Sequence, residues 1–128
     1  MKALIDSTVI IHINHHFEKM DKIINDLNIT EYYISRISYL EILAGSTIKN
    51  KNATRKYLQP YKILEFSKEA VTIANTLSMK YMVRKNNSKD FIIASIAIAN
   101  KLPLLTENNK DFTYTGLKIL PYRINDFW

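Results

Sequence analysis

Four acidic side chains stand at points of the sequence where a metal-dependent reaction could take place. Asp90 and Asp111 flank the most apolar part of the chain, inside the stretch formed by residues 88–112. Carboxylates beside a buried segment are costly unless a positive charge joins them, and we interpret that charge as a divalent metal ion. Asp6 and Glu41 would supply the remaining ligands from other parts of the chain.

Each of these acids also has an ordinary structural explanation. Asp6 ends a short apolar segment and could simply cap the helix that follows, as Ser7 and Thr8 could. Glu41 lies inside an apolar stripe, so it is either at the edge of that helix face or held by a partner. Glu107 is an additional acid near the fourth candidate, and we expect its side chain to point to solvent.

Short apolar segments alternate along the chain with segments of helical periodicity. The predicted strands cover residues 2–6, 31–35, 62–66, 104–105 and 117–120. The predicted helices cover residues 9–28, with a break near His15 and His16, and then 36–45, 67–82 and 88–101. This alternation predicts an α/β fold of three layers, in which helices cover both faces of a mostly parallel twisted sheet of four to five strands. In such a sheet the four acids converge at one edge.

The composition suits one globular domain that spans residues 1–128. The chain is 47% hydrophobic and has no cysteine, which excludes a disulfide frame and a thiolate zinc site. Its longest apolar run falls short of the roughly 20 residues that cross a bilayer. The first residues lack the pattern of a signal peptide. We therefore expect a cytoplasmic protein without a membrane partner.

The charge balance favours a polyanionic partner. The formal net charge is +6, and if the four acids belong to a metal site the other eight acids face 18 bases, so the surrounding shell carries +10. A basic surface that only aids solubility is the alternative. Six bases could contact RNA, and for the first four a solvated helix face explains the pattern equally well: Lys49, Lys51, Arg55, Lys56, Arg84 and Lys85.

Two histidines are candidate metal ligands. His12 and His16 are four residues apart and could share one helix face. Ile13 stands where the glutamate of an HExxH zinc motif would be, so that motif is missing. We favour a polar surface position for both histidines.

Four motifs in order carry a family resemblance that covers nearly the whole chain. They are LIDSTVII, ISRISYLEILAG, KDFIIASIAIANKLPLLTENNKDF and GLKI. Together they resemble the PIN domain of VapC type, the ribonuclease toxin of toxin–antitoxin pairs. The loop before Asp90 departs from the family, because it reads RKNNS where members often carry glycine.

The resemblance implies that Asp6, Glu41, Asp90 and Asp111 bind the metal and act in catalysis. It also implies supporting residues, which are Thr106, Asn108 and Ser7. A set of oxygen ligands selects Mg²⁺ or Mn²⁺ over zinc. We expect Asp6 and Asp90 to be the nearest ligands, with the other two acting directly or through water.

The activity that the resemblance implies is hydrolysis of RNA phosphodiester bonds by a toxin whose partners are RNA and a cognate antitoxin, and which is commonly a homodimer. Apolar residues that could form either protein contact, unless they are core, are Ile37, Tyr39, Leu40, Tyr122, Ile124, Phe127 and Trp128. Two alternatives stay open. One is a PIN nuclease of RNA processing or decay without an antitoxin, and the other is a catalytically silent PIN fold that binds RNA or protein.

Overall fold

The computed structural model describes residues 1–120, except the side chain of Ile48. Four apolar candidates for a protein contact therefore lie outside the described residues, namely Tyr122, Ile124, Phe127 and Trp128. The strands are β1 (Lys2–Ile5), β2 (Glu31–Ser35), β3 (Lys62–Leu64) and β4 (Leu104–Leu105). The α-helices are α1 (Ser7–His15), α2 (Phe17–Asp26), α3 (Arg36–Ala44), α4 (Lys51–Leu58), α5 (Lys68–Lys80) and α6 (Ser88–Ala99). Short 3₁₀ turns cover Ile48–Asn50 and Asn109–Asp111.

The strands form one parallel sheet in the order β3-β2-β1-β4. Leu4 of β1 lies opposite Tyr33 of β2 on one side and opposite Leu104 of β4 on the other. Consecutive strands are added on one side of β1, whereas β4 is added on the other side. The chain therefore changes direction between β1 and β4, and such switch points are where open parallel sheets bind ligands.

Alternating side chains of each strand build a separate core on each face of the sheet. Ala3 and Ile5 pack into a core with α1, α2, α3 and α4, whereas Leu4 packs into a second core with α5 and α6. The same alternation separates Leu105 from Leu104 in β4. This arrangement confirms the predicted three layers, with helices on both faces of the sheet.

Local signals explain where the helices begin and end. The break near His16 is confirmed, because this residue leaves helical geometry with φ −134° and ψ 51° between α1 and α2. Ser35 caps α3, since its Oγ accepts a hydrogen bond from the Ser38 N–H at 3.1 Å. Gly45 follows the end of α3, as predicted. α6 begins at Ser88 and ends before Pro103.

Three expectations about local structure need correction. The strand predicted at residues 117–120 is reduced to a single parallel bridge between Leu104 and Ile119, because β4 has only two residues to offer. β3 ends at Leu64, two residues earlier than predicted. The residue that caps α1 is Asp6, whereas Ser7 already belongs to the helix.

Two of the surface candidates in α3 are partly buried instead. Tyr39 packs against the first core and Ile37 against the second, while Leu40 is 55% exposed. Leu40 is thus the apolar residue of this helix that is free for a protein contact. Within residues 1–120, no helix is both long and apolar enough to cross a membrane.

Candidate metal centre

Asp6 lies at the carboxyl end of β1, beside the end of β4, and only 6% of it is exposed. Its Oδ1 accepts the N–H of Ser7 at 2.9 Å, and its Oδ2 accepts the hydroxyl of Thr106 at 2.8 Å. The backbone N–H of Asp6 also donates to the carbonyl of Leu105 at 3.0 Å. Asp6 therefore caps a helix and, at the same time, is fixed at the switch point of the sheet.

Thr106 connects this carboxylate to the loop after β4. The threonine is fully buried, and its Oγ1 also accepts the N–H of Asn108 at 3.1 Å. Asn108 thus contributes its backbone N–H to the loop, and Asn108 itself is exposed. Ser7 likewise contributes a backbone N–H, which orients the Asp6 carboxylate.

Burial raises the pKa of Asp6 above its usual value, although the hydrogen bonds from Thr106 and Ser7 oppose that increase. The negative charges of Glu41 and Glu107 raise the pKa further. A buried carboxylate with acidic neighbours gains stability when a cation approaches. This is the electrostatic property that a metal ligand needs.

Asp90 lies in the first turn of α6 and is half-buried. Its pKa is raised to about 6, first by burial and then by the charges of Asp111, Asp6 and Glu41, while Lys89 opposes the increase. Asp111 is exposed and ends the 3₁₀ turn after β4. The structure thus brings the other three predicted acids within electrostatic range of Asp90.

Glu41 is held by a partner that the sequence reasoning missed. The ammonium of Lys89 donates to Glu41 Oε2 at 2.6 Å, and the Glu41 side chain is 34% exposed. Both earlier explanations of Glu41 are therefore right, because it lies at the edge of its helix face and is also paired. Glu41, Asp90 and Asp6 together raise the pKa of Lys89, so this ammonium is stabilised by the negative charge of the acidic cluster.

The signal that could have identified Lys89 is its place directly before Asp90 at the start of a helix. A lysine in the first turn is unfavourable because the N-terminus of a helix carries a partial positive charge. Its presence there therefore predicts a negatively charged partner. Such a signal does not say which acid is the partner, because α3 and α6 meet only in the folded chain.

The donors fit a hard divalent ion, since they are carboxylate oxygens without sulfur or an obligatory imidazole. One more oxygen of the same region, Oδ1 of Asn109, is buried without a hydrogen-bond partner among the described residues. Within residues 1–120, no three histidine, aspartate or glutamate side chains are yet close enough to hold one ion together. Direct coordination of one ion by three of these acids would therefore require their side chains to move closer together.

The expectation for Glu107 was wrong. Its Oε2 lies 3.2 Å from Nε2 of His12, and both side chains are mostly buried. The contact forms because α1 packs beside the loop that follows β4, which brings the helix face of His12 to Glu107. The rings of His12 and His16 lie 6.2 Å apart, so the two histidines do share a side of the chain.

The six predicted RNA-binding bases are all exposed and fall into two groups. Lys49, Lys51, Arg55 and Lys56 lie on α4 and the 3₁₀ turn before it. Arg84 and Lys85 lie in the loop before α6.

A polar cavity of about 320 Å³ is lined by Arg84 of this loop together with Asp90 and Asp111. Lys110 lines it as well, and the sequence reasoning did not single it out. Another cavity, of about 340 Å³, is mostly apolar and lies beside α1, α2 and α4, where Phe17 and Tyr57 line it. It contains none of the four acids, whereas Asp90 and Asp111 line the polar cavity.

Comparison with known families identifies the class of protein. Residues 3–117 match the PIN domain, and the chain therefore belongs to the PIN-domain family. Comparison with curated proteins gave no significant match.

The fold also resembles solved toxin–antitoxin structures. A chain of a toxin–antitoxin complex from Klebsiella pneumoniae is 25% identical, with a TM-score of 0.77 over 95% of this chain and 99% of that one. A chain of DNA-bound VapBC from Salmonella typhimurium is 22% identical, with a TM-score of 0.76 over 94% and 97%. A chain of VapBC2 from Rickettsia felis, bound to a promoter DNA fragment, is 21% identical, with a TM-score of 0.74 over 95% and 99%. The two less similar structures support the fold alone.

The raised pKa of Asp90 predicts how the stability of the metal-free protein changes with pH. The pKa of Asp90 is about 6 in the folded protein, whereas it is 3.8 for an aspartate without such neighbours, as in the unfolded chain. Ionised Asp90 therefore opposes folding, so the free energy of unfolding falls as the pH rises from 4 to 6 and Asp90 loses its proton. Because the side chain is half-exposed, we expect a loss of about 1 kcal/mol.

Urea unfolding in EDTA at several pH values, for wild type and Asp90→Asn, measures this loss. The stability of Asp90→Asn relative to wild type should rise between pH 4 and 6 and then level off. A difference that is constant over this range would show that the pKa of Asp90 is not raised.

Lys89 should compete with the metal ion for Glu41. In Lys89→Met the carboxylate loses its cation, so we expect Mn²⁺ to bind about five- to tenfold more tightly, which corresponds to roughly 1 kcal/mol. Calorimetric titration with Mn²⁺ measures the change, and Lys68→Met, which removes an exposed lysine of α5, is the matched control. Equal or weaker binding by Lys89→Met would contradict the competition.

Proposed function

We propose that this chain is a metal-dependent endoribonuclease that hydrolyses RNA phosphodiester bonds and acts as the toxin of a toxin–antitoxin pair. The observation that carries the proposal is the buried Asp6 at the β1–β4 switch point of a PIN fold, together with Asp90, whose pKa is raised by burial and by the charges of Asp111, Asp6 and Glu41. Charges of the same sign gathered at a ligand-binding edge suit a site that a cation completes.

Asp6 and Asp90 are the proposed principal ligands of Mg²⁺ or Mn²⁺, because both are partly or fully buried and have raised pKa values. Glu41 and Asp111 take part directly or through water, and either could orient the attacking water as a general base. When bound, the ion would supply the positive charge that activates water and neutralises the phosphate. Thr106 keeps one oxygen of Asp6 in place.

RNA as the substrate is supported by the basic shell and by the family resemblance. The formal charge of +6 is the sum of an acidic centre and a strongly basic remainder, which attracts a polyanion. Lys49, Lys51, Arg55 and Lys56 are proposed to add to this general attraction. Arg84 and Lys85 lie nearer in sequence to Asp90 and are proposed to contact the RNA itself.

An antitoxin partner is supported by the similarity to a chain of the Klebsiella pneumoniae toxin–antitoxin complex over 95% of this sequence. A homodimer and a cytoplasmic location are further proposals. Leu40, which is exposed on the helix of Glu41, is suited to a protein contact beside the site. The second candidate function is a PIN nuclease without an antitoxin, which shares the same acidic centre. A silent fold is disfavoured, because all four acids are present.

Removing one carboxylate of the pair Asp6 and Asp90 should abolish cleavage. We expect Asp6→Asn and Asp90→Asn to reduce the cleavage of single-stranded RNA in Mn²⁺ by at least 100-fold, on the order expected when a principal metal contact or its charge is lost. Asp26→Asn, an exposed position at the end of α2, is the matched control and should keep full activity.

Cleavage is measured on a labelled RNA, with and without EDTA, and circular dichroism checks that each variant is folded. Activity that survives EDTA and both substitutions would show that these acids do not carry the reaction.

A toxin should harm its host in a way that depends on the acids and is relieved by its partner. Expression of the chain alone should arrest growth, Asp90→Asn should not, and co-expression of a small protein encoded next to its gene should restore growth and copurify with the chain. Growth arrest that no neighbouring protein relieves would favour the nuclease without an antitoxin.

A further inference from the structure

The polar cavity beside the acids has a composition that the metal centre alone does not explain. Asp90 and Asp111 line it, and so do two bases, Arg84 from the loop before α6 and Lys110 from the turn after β4. Acids and bases in one small cavity normally form ion pairs. Within residues 1–120 neither Arg84 nor Lys110 forms one, whereas four other basic residues do, namely Lys2, Arg36, Lys62 and Lys89.

The wall that carries Arg84 is held in place by hydrogen bonds. Oδ1 of Asn87 accepts the backbone N–H of Arg84 at 2.6 Å, and Nδ2 of Asn87 donates to the carbonyl of Met82 at 3.1 Å. These bonds close the loop between α5 and α6 on itself. The position of Arg84 at the cavity therefore follows from the local fold, which is expected of a preformed binding site.

The neighbouring wall is fixed by an aromatic pair. The hydroxyl of Tyr81 accepts the N–H of Thr115 at 3.0 Å and lies 2.8 Å from its Oγ1. The Tyr81 ring packs edge-on against Tyr114, with the ring centres 5.1 Å apart. Both tyrosines line the cavity, so a rigid aromatic surface lies beside Arg84 and Lys110.

A ligand of this cavity must satisfy two kinds of neighbour at once. It needs negative charge to pair with Arg84 and Lys110. That charge must also lie close to Asp90 and Asp111, whose own negative charges a bound cation would neutralise. A phosphate meets both demands, because it binds bases and divalent ions alike. The volume of about 320 Å³ is at the lower end for small-ligand sites and leaves room for one nucleotide, too little for a duplex.

We propose that this cavity is a subsite for one nucleotide of single-stranded RNA next to the bond that is cut. Arg84 and Lys110 hold its phosphate oxygens, and Tyr81 offers an aromatic surface to its base. The exposed amide of Asn86, which also lines the cavity, can donate to and accept from the edge of that base. This subsite rests on the proposed function, since it assumes that RNA reaches the acids.

The basic side chains on α4 and on the turn before it do not offer the same arrangement. Lys49, Lys51, Arg55 and Lys56 are exposed, and none of them lines the cavity of the acids. They can attract RNA through their charge, but a phosphate held there would not thereby be placed at Asp90. The two groups of bases are thus expected to differ in effect.

RNA binding measured without turnover tests the subsite separately from cleavage. A fluorescently labelled single-stranded RNA is titrated with protein in Ca²⁺, with a gel to check that the RNA stays intact, and anisotropy gives Kd at several salt concentrations. The double variant Arg84→Gln/Lys110→Gln is compared with Lys22→Gln/Lys68→Gln, which removes the same charge from exposed positions of α2 and α5.

We expect the cavity variant to weaken binding about tenfold and to reduce the salt slope by about 1 to 2, since phosphate contacts release counterions. The control pair should change Kd less than twofold. A duplex of the same RNA should show no such difference between the two variants.

Equal losses in the two variants, or a loss confined to Lys51→Gln/Arg55→Gln on α4, would overturn the subsite. If wild type cleaves RNA while the cavity variant binds normally, the subsite fails and the proposed function stands. If binding depends on the cavity but no metal supports cleavage, the proposed nuclease activity fails instead.

Discussion

Repulsion among carboxylates at the end of a parallel sheet is the constraint on which this molecule depends. The fold fixes Asp6 by hydrogen bonds to Thr106 and Ser7, and it places Asp90 at the start of the neighbouring helix. In addition to the effect of burial, the charge of Asp6 raises the pKa of Asp90, and the charge of Glu41 raises the pKa of both. Within residues 1–120, the ammonium of Lys89 forms an ion pair with Glu41 of this cluster.

The two cores explain why the chain can keep such a cluster. Alternate residues of β1 reach opposite faces of the sheet, so α1 to α4 cover one face and α5 with α6 cover the other. Glu41 comes from the first face and Asp90 from the second, and they meet only at the sheet edge where β1 and β4 end. Packing of the cores thus positions like charges that would separate in a less rigid structure.

Most of the architecture could be predicted from local patterns, while the contacts between distant segments could not. Alternation of apolar runs and helical periods gave the layers, and the break at His16 and the short β4 followed from composition and Pro103. The pairing of Lys89 with Glu41 and of Glu107 with His12 depends on how helices from different parts of the chain pack, which no single motif encodes. The strand at residues 117–120 was overestimated because its β propensity is real, but β4 is too short to pair with it fully.

The proposed function requires the acids to bind a divalent ion, with Asp6 and Asp90 as its principal ligands. The most direct measurement is the anomalous scattering of Mn²⁺ in crystals grown with that ion. We expect a peak about 2.1 Å from carboxylate oxygens of Asp6 and Asp90, with Lys89 moved away from Glu41. A peak elsewhere on the surface, or none while Lys89 still contacts Glu41, would contradict it.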